Sequence, residues 1–145
     1  MKKVFNDKPL SEITLRRFEK PNDENLNELS RKFLISTGLL QTGDGRDIIN
    51  EIFYEFVICA KNKEYLPIDL IINKFKEHEG GTPNNIRRHI MRLKDYGLVE
   101  RTDFGYRIKE FMPLRELFKQ EVIKEFIEPS INRILEYCDK IDNLK

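Results

Sequence analysis

The sequence predicts a mainly α fold in which three helices lead into one small β-hairpin, with an N-terminal helix ahead of them and a long helical extension behind. Three observations predict it. Between Thr82 and Tyr96, Ile86, Ile90 and Leu93 recur at i, i+4 and i+7, which lines one face of a helix with apolar side chains. Glu79-Gly80-Gly81 separates that helix from an amphipathic run over Ile68 to His78, and a short glycine-containing turn is what two steeply angled helices need. Directly after Gly97 the pattern changes to two short strands, Leu98 to Thr102 and Tyr106 to Lys109, around a tip at Asp103-Phe104-Gly105.

The 145 residues suffice for one domain with extensions, stabilised by its own core without disulfides or metal. Charged residues make up 35% of the chain but are of both signs, which suits a helix-rich globule better than a disordered tail. The net charge of +1 is unevenly divided. Residues 82–109 hold seven Lys/Arg against three acids, and residues 1–20 hold six against three, whereas 21–44, 45–81 and 110–145 are each net −2. Positive charge is therefore concentrated on the helix–hairpin stretch, where an anionic partner would be met. Two cysteines without a CxxC pair or secretory signal point to a reducing, cytoplasmic setting, and no apolar run is long enough to span a bilayer.

Taken in order, Ile13 to Phe18 alternates like a strand, while Leu10 and Ile13 also fit a short helix, and the early Lys2, Lys3 and Lys8 make either a basic arm or an ordinary solvated terminus. Asn22-Asp23 can cap a helix with apolar positions Leu26, Leu29, Phe33 and Leu34, closed by Gly38. Thr42-Gly43-Asp44-Gly45 is a turn-rich break without the Gly-Lys-Ser/Thr end of a phosphate loop. From Arg46, Ile48, Ile49, Ile52, Phe53, Phe56, Val57 and Ala60 form the widest apolar stripe in the chain, and Cys59 within it reads as buried packing. Glu64-Tyr65-Leu66 allows only a very short strand before Pro67 opens the Ile68 helix. Thr82 and Pro83 supply an N-cap and a first-turn proline for the next helix, and Gly97 a left-handed C-terminal stop. Pro113 starts the long extension, which Glu128-Pro129 should interrupt or kink. Ile127, Ile131, Ile134, Cys138 and Ile141 then step by 4, 3, 4, 3, the spacing of a coiled-coil seam. That seam serves either dimerisation, the favoured reading, or a terminal helix laid on its own domain.

The order helix, short strand, helix, turn, helix, hairpin is carried by three stretches. They are the run Ile86 to Leu93, the phrase Tyr96-Gly97-Leu98-Val99-Glu100-Arg101 and the return Gly105-Tyr106-Arg107-Ile108. Over about Arg46 to Glu110 this resembles the winged helix-turn-helix domain of prokaryotic transcriptional regulators, the broad group of MarR-like and ArsR-like proteins and many archaeal regulators. The Lys-, Ile- and Asn-rich composition and the 38–47 connector are similar to euryarchaeal members. The resemblance implies three segments: an N-terminal strand or arm and helix (1–45), a winged-helix DNA-binding domain (46–110) and a C-terminal helical dimerisation segment (111–145). It implies a cytoplasmic, nucleoid-associated homodimer that binds double-stranded DNA, with residues 82–96 as recognition helix in the major groove and 98–109 as the wing.

On that reading Asn84, Asn85, Arg88 and Arg92 are the candidates for base edges, because Arg and Asn side chains match the paired groups of guanine and adenine. Arg87 and Lys94 on the flank, Arg101 and Arg107 on the wing, and the amide end at Thr82 are the candidates for phosphate. Met91 sits on the same face, as a contact to a thymine methyl or as an incidental exposed side chain. The competing class is a winged-helix protein-interaction module, for which only Met91 and Phe104 suggest an exposed apolar patch. No catalytic constellation, metal-ligand spacing or cofactor motif is present: His78 and His89 lack partners at ligand spacing, and His89 reads as a boundary side chain. The sequence names no small-molecule effector.

Overall fold

The computed structural model describes residues 7–41 and 48–145. Lys2 and Lys3, the Thr42-to-Gly45 break and Arg46 lie outside the described residues. The chain is mainly helical, with one two-stranded antiparallel hairpin and a long C-terminal helix.

Helix α1 (Leu26–Ser36) is capped by Asn25, whose Oδ1 accepts from the Glu28 N–H at 2.9 Å, three residues later than the Asn22-Asp23 start read from the sequence. Its Phe33 ring stacks on Phe53 with centroids 5.5 Å apart. Helix α2 (Ile48–Lys61) is the central element, packed against α1, against α4 and against the hairpin, with Ile52, Phe53 and Phe56 fully buried. Cys59 is buried on it. Helix α3 (Ile68–Phe75) stops three residues short of His78, because the backbone turns there: His78 N–H donates to Phe75 O and Gly81 N–H to His78 O. Helix α4 (Pro83–Asp95) follows, then strands β1 (Val99–Thr102) and β2 (Gly105–Ile108), registered from Val99↔Ile108 to Thr102↔Gly105. The tip is only Asp103-Phe104, closed by Thr102 Oγ1, which donates to Gly105 O and accepts from the Phe104 N–H. Leu66 adds a single antiparallel bridge to Tyr106, the very short strand expected before Pro67.

One hydrophobic core runs through these elements, from Leu34 and Ile35 of α1 through α2, Ile86, Ile90 and Leu93 of α4 and Val99 and Ile108 of the hairpin to Leu117 behind it. Residues 7–25 are neither strand nor helix. This stretch crosses the C-terminal end of α1, where Arg16 donates through Nη1 to Ile35 O (2.9 Å) and Leu40 O (3.3 Å) and through Nη2 to Gln41 Oε1. The last carbonyls of a helix have no partner within it, and here Ser36 O accepts from the Arg16 N–H at 2.9 Å while Ile35 O accepts from the Arg16 guanidinium.

Behind the hairpin, a helical turn at Lys109–Phe111 leads into α5 (Leu114–Phe118), which widens into π geometry over Lys119–Ile127 and returns to α geometry as α6 (Glu128–Asn143). The expected break at Glu128-Pro129 is thus absorbed. Proline removes one backbone donor and crowds the carbonyl four residues back, and a wider turn just ahead of it accommodates both. No residue of α6 is buried, so this helix does not lie on its own domain.

Candidate functional site

Helix α4 is fixed on three sides, and this determines what it displays. Thr82 Oγ1 accepts from the Asn85 N–H, Pro83 occupies the first turn, and Ile86, Ile90 and Leu93 are buried against α2, α3 and β1. Gly97 ends it with φ +92, a backbone conformation that a side chain would strain. With that face inward, Asn84, Arg87, Arg88, Met91, Lys94 and Asp95 are exposed.

Between α4 and the hairpin lies a cleft of about 320 Å³, floored by Ile68, Ile90, Met91 and Tyr106 and bordered by Arg87, Lys94 and Arg101. Arg87 and Lys94 are two helical turns apart on α4, about 10 Å along its axis, and Arg101 faces them from β1. None of the three side chains has an ion pair or hydrogen bond among the described residues. Three uncompensated cations around an apolar-floored cleft form an anion-attracting surface. The sequence places Arg87 and Lys94 on the flank of one helix and Arg101 on the hairpin, but does not reveal the floor between them, since Ile68 and Tyr106 come from α3 and β2.

The remaining candidates divide differently. Asn84 is exposed. Asn85 bridges inward and outward: its Nδ2 donates to Gly80 O (2.6 Å), and its Oδ1 accepts from Arg88 Nε (3.2 Å) and Nη2 (2.6 Å), holding the exposed guanidinium over the start of the helix. Thr82 is spent on its cap. Arg92 is turned away from the exposed face, donating through Nη2 to Leu39 O at 2.6 Å and approaching His89 Nδ1 through Nη1. Arg107 is likewise occupied, paired with Glu100 at 2.7 Å, donating to the Tyr65 hydroxyl, and stacked over the Tyr65 and Phe111 rings at 5.3 and 4.8 Å. Lys109 pairs with Glu121, which holds the lysine above and the carboxyl below their ordinary pKa values. Of the seven basic residues in 82–109, Arg92, Arg107 and Lys109 are therefore held by the fold, and Arg87, Arg88, Lys94 and Arg101 make the exposed positive surface.

Because Arg92 satisfies a backbone carbonyl of the α1–α2 connector, Arg92→Ala should lower stability by about 1–3 kcal/mol and leave the exposed face unchanged. A urea titration measures the first effect.

His89 sits on the inner edge of α4 at 9% exposure. Burial, with Arg88 and Arg92 close by, pushes its pKa from 6.5 down to about 4, so the imidazole is neutral and Nδ1 is free to accept from Arg92. The unfolded chain binds this proton more readily, so between about pH 6.5 and pH 4 stability falls as pH falls. Replacement of His89 by Gln should flatten that part of the stability–pH profile, measured by chemical denaturation at a series of pH values.

Among the described residues, no group of three or more His, Cys, Asp or Glu side chains gathers to hold a metal ion, and no helix is long and apolar enough to cross a membrane. No protein-family model matches the chain, and comparison with curated proteins and with solved structures returns no match.

Proposed function

We propose that this chain is a sequence-specific DNA-binding transcriptional regulator of the winged helix-turn-helix type, acting as a homodimer. The observation that carries the reading is the convergence of Arg87, Lys94 and Arg101 on one cleft between α4 and the hairpin, with Arg88 and Asn84 exposed beside it. In this mechanism α4 enters the major groove of double-stranded DNA. The cleft cations take phosphates, which sets orientation and the salt dependence of binding. Arg88, held by Asn85, and Asn84 read base edges from the N-terminal half of the helix. The hairpin acts as a short wing: with a two-residue tip, it contributes through Arg101 on β1, while Arg107 keeps it rigid.

Footprinting tests this directly. The Lys94 amine should lose reactivity towards an acetylating reagent when random-sequence duplex is added, while the exposed Lys61, Lys63 and Lys145 keep theirs. Unchanged reactivity of Lys94 would move the reading to a protein partner held through Met91 and Phe104.

For the dimer, α6 is the element available. Ile131, Ile134 and Ile141 are more than half exposed on it, and Cys138 is exposed between them. Ile127, at the head of the seam, is half-buried. An Ile134→Asp substitution should give a monomer by light scattering, and an unchanged dimer mass would contradict the role of this helix.

A further inference from the structure

The apolar face of α6 is wider than a two-helix seam requires. At about 100° per residue it runs from Leu135 through Ile131, Cys138, Ile134 and Ile141 to Tyr137, roughly 160° of the helix, whereas a seam confined to every third and fourth residue is narrower. A face of that width fits a groove with two walls better than a single partner helix. The side that carries Leu135 is acidic: Asp142 lies between Leu135 and Ile131, Glu128 and Asp139 follow beyond Leu135, and Glu136 further round is paired with Arg133.

The body of the protein offers such a groove. Leu15, Phe33, Leu114, Phe118, Ile123 and Ile127 line an open apolar trough of about 780 Å³ between the N-terminal stretch, the end of α1 and the α5–π segment. Arg115 and Lys119 stand exposed on its rim, without an ion pair among the described residues. The trough leads straight into the seam, because Ile127 belongs to both. The same chain cannot fill it: helix is unbroken from Leu114 to Asn143, so α6 points away from its own groove.

We propose that the occupant is α6 of a second copy, exchanged reciprocally so that each α6 lies in the other copy's groove, its acidic edge against Arg115 and Lys119. This rests on the homodimer reading above and goes beyond it by replacing a helix-on-helix seam with a groove. A specific interface needs roughly 1,000 Å² in total. Two α6 helices, each with Ile131, Ile134, Leu135, Tyr137 and Ile141 at 51–70% exposure, together with two groove walls, are of that order.

The test uses the full chain and its own exposed Cys138, the other cysteine being buried. Cysteine is introduced on the groove rim by Lys119→Cys or, separately, Arg115→Cys. The proteins are mildly oxidised, and linked peptides are mapped, with the mass of the untreated wild type taken by light scattering. Within one chain, positions 119 and 138 are nineteen residues apart on continuous helix, about 28 Å, far beyond disulfide reach. A mixed link between 138 and a rim position can therefore form only between copies. The expected result is a dimer with that mixed link. A dimer that joins only Cys138 to Cys138, or forms no mixed link at either rim position, overturns groove docking and leaves the dimer standing. A monomeric wild type overturns both. Independently, Arg115→Glu with Lys119→Glu should raise the dimer dissociation constant at least tenfold with helicity unchanged, and an unaltered constant would count against the groove.

Discussion

Replacing Arg87, Lys94 and Arg101 together with alanine is expected to weaken binding to duplex DNA by about 100- to 1,000-fold at 0.1 M salt. The expectation follows from counterion release. Each phosphate neutralised contributes about 0.9 to the slope of log K against log salt, so three lost contacts should lower that slope by nearly three. The loss should be the same on every sequence, since phosphates carry no sequence information. Arg88→Ala should behave oppositely, reducing preference for a specific site by about 1–3 kcal/mol with little change on random duplex. Arg107 provides the internal control. It is basic and on the hairpin, but paired with Glu100 and stacked on two rings, so its removal should loosen the hairpin without flattening the salt slope. Fluorescence anisotropy on the variants separates these outcomes.

The second large effect is on stability. A Cβ added at Gly81 would lie 1.8 Å from Phe75 O and 2.9 Å from His78 O, both backbone atoms fixed by the turn between α3 and α4. No side-chain adjustment relieves such an overlap, so Gly81→Ala must shift the backbone, at a cost of about 3 kcal/mol or more. Gly80→Ala is the milder neighbour. It imposes strain at φ +79, but its Cβ meets the movable Asn85 amide at 3.2 Å, so about 1 kcal/mol is expected. Urea denaturation of the pair gives the contrast. DNA affinity should fall with Gly81→Ala as well, because the turn sets where Thr82 caps α4 and where Arg88 is held.

What was legible in the sequence was what repeats locally. The stripe on α2, the i, i+4, i+7 face of α4, the Thr82 cap and the Gly97 stop all express spacings within one element, and each stands where periodicity put it. The short Leu66 bridge was legible because proline bounds it. The illegible part depended on neighbours distant in the chain. A helical wheel places Arg92 on a flank, but its partner, Leu39 O, is 53 residues away, and nothing local marks that carbonyl as unsatisfied. Arg107 reads as a wing cation until Tyr65, 42 residues earlier, is seen to receive it. Arg16 reads as part of an alternating strand, yet is drawn across the end of α1 by carbonyls that only the folded chain brings near. Helix α3 was overextended because His78 continues its amphipathic spacing although the backbone has already turned at Phe75. Charge counting had the same limit: the positive balance of 82–109 is real, but which cations are free to meet a partner depends on Glu100, Glu121 and Leu39.

DNA binding by the exposed face of α4 and the adjoining cleft is the property to measure first. Anisotropy of a labelled random-sequence duplex, titrated with wild-type protein between about 50 and 200 mM salt, tests it most directly. Saturable binding is expected, with an affinity that falls linearly on a log–log plot with salt. Absence of binding at the lowest salt, by protein shown to be folded by its circular dichroism and cooperative melt, would contradict it.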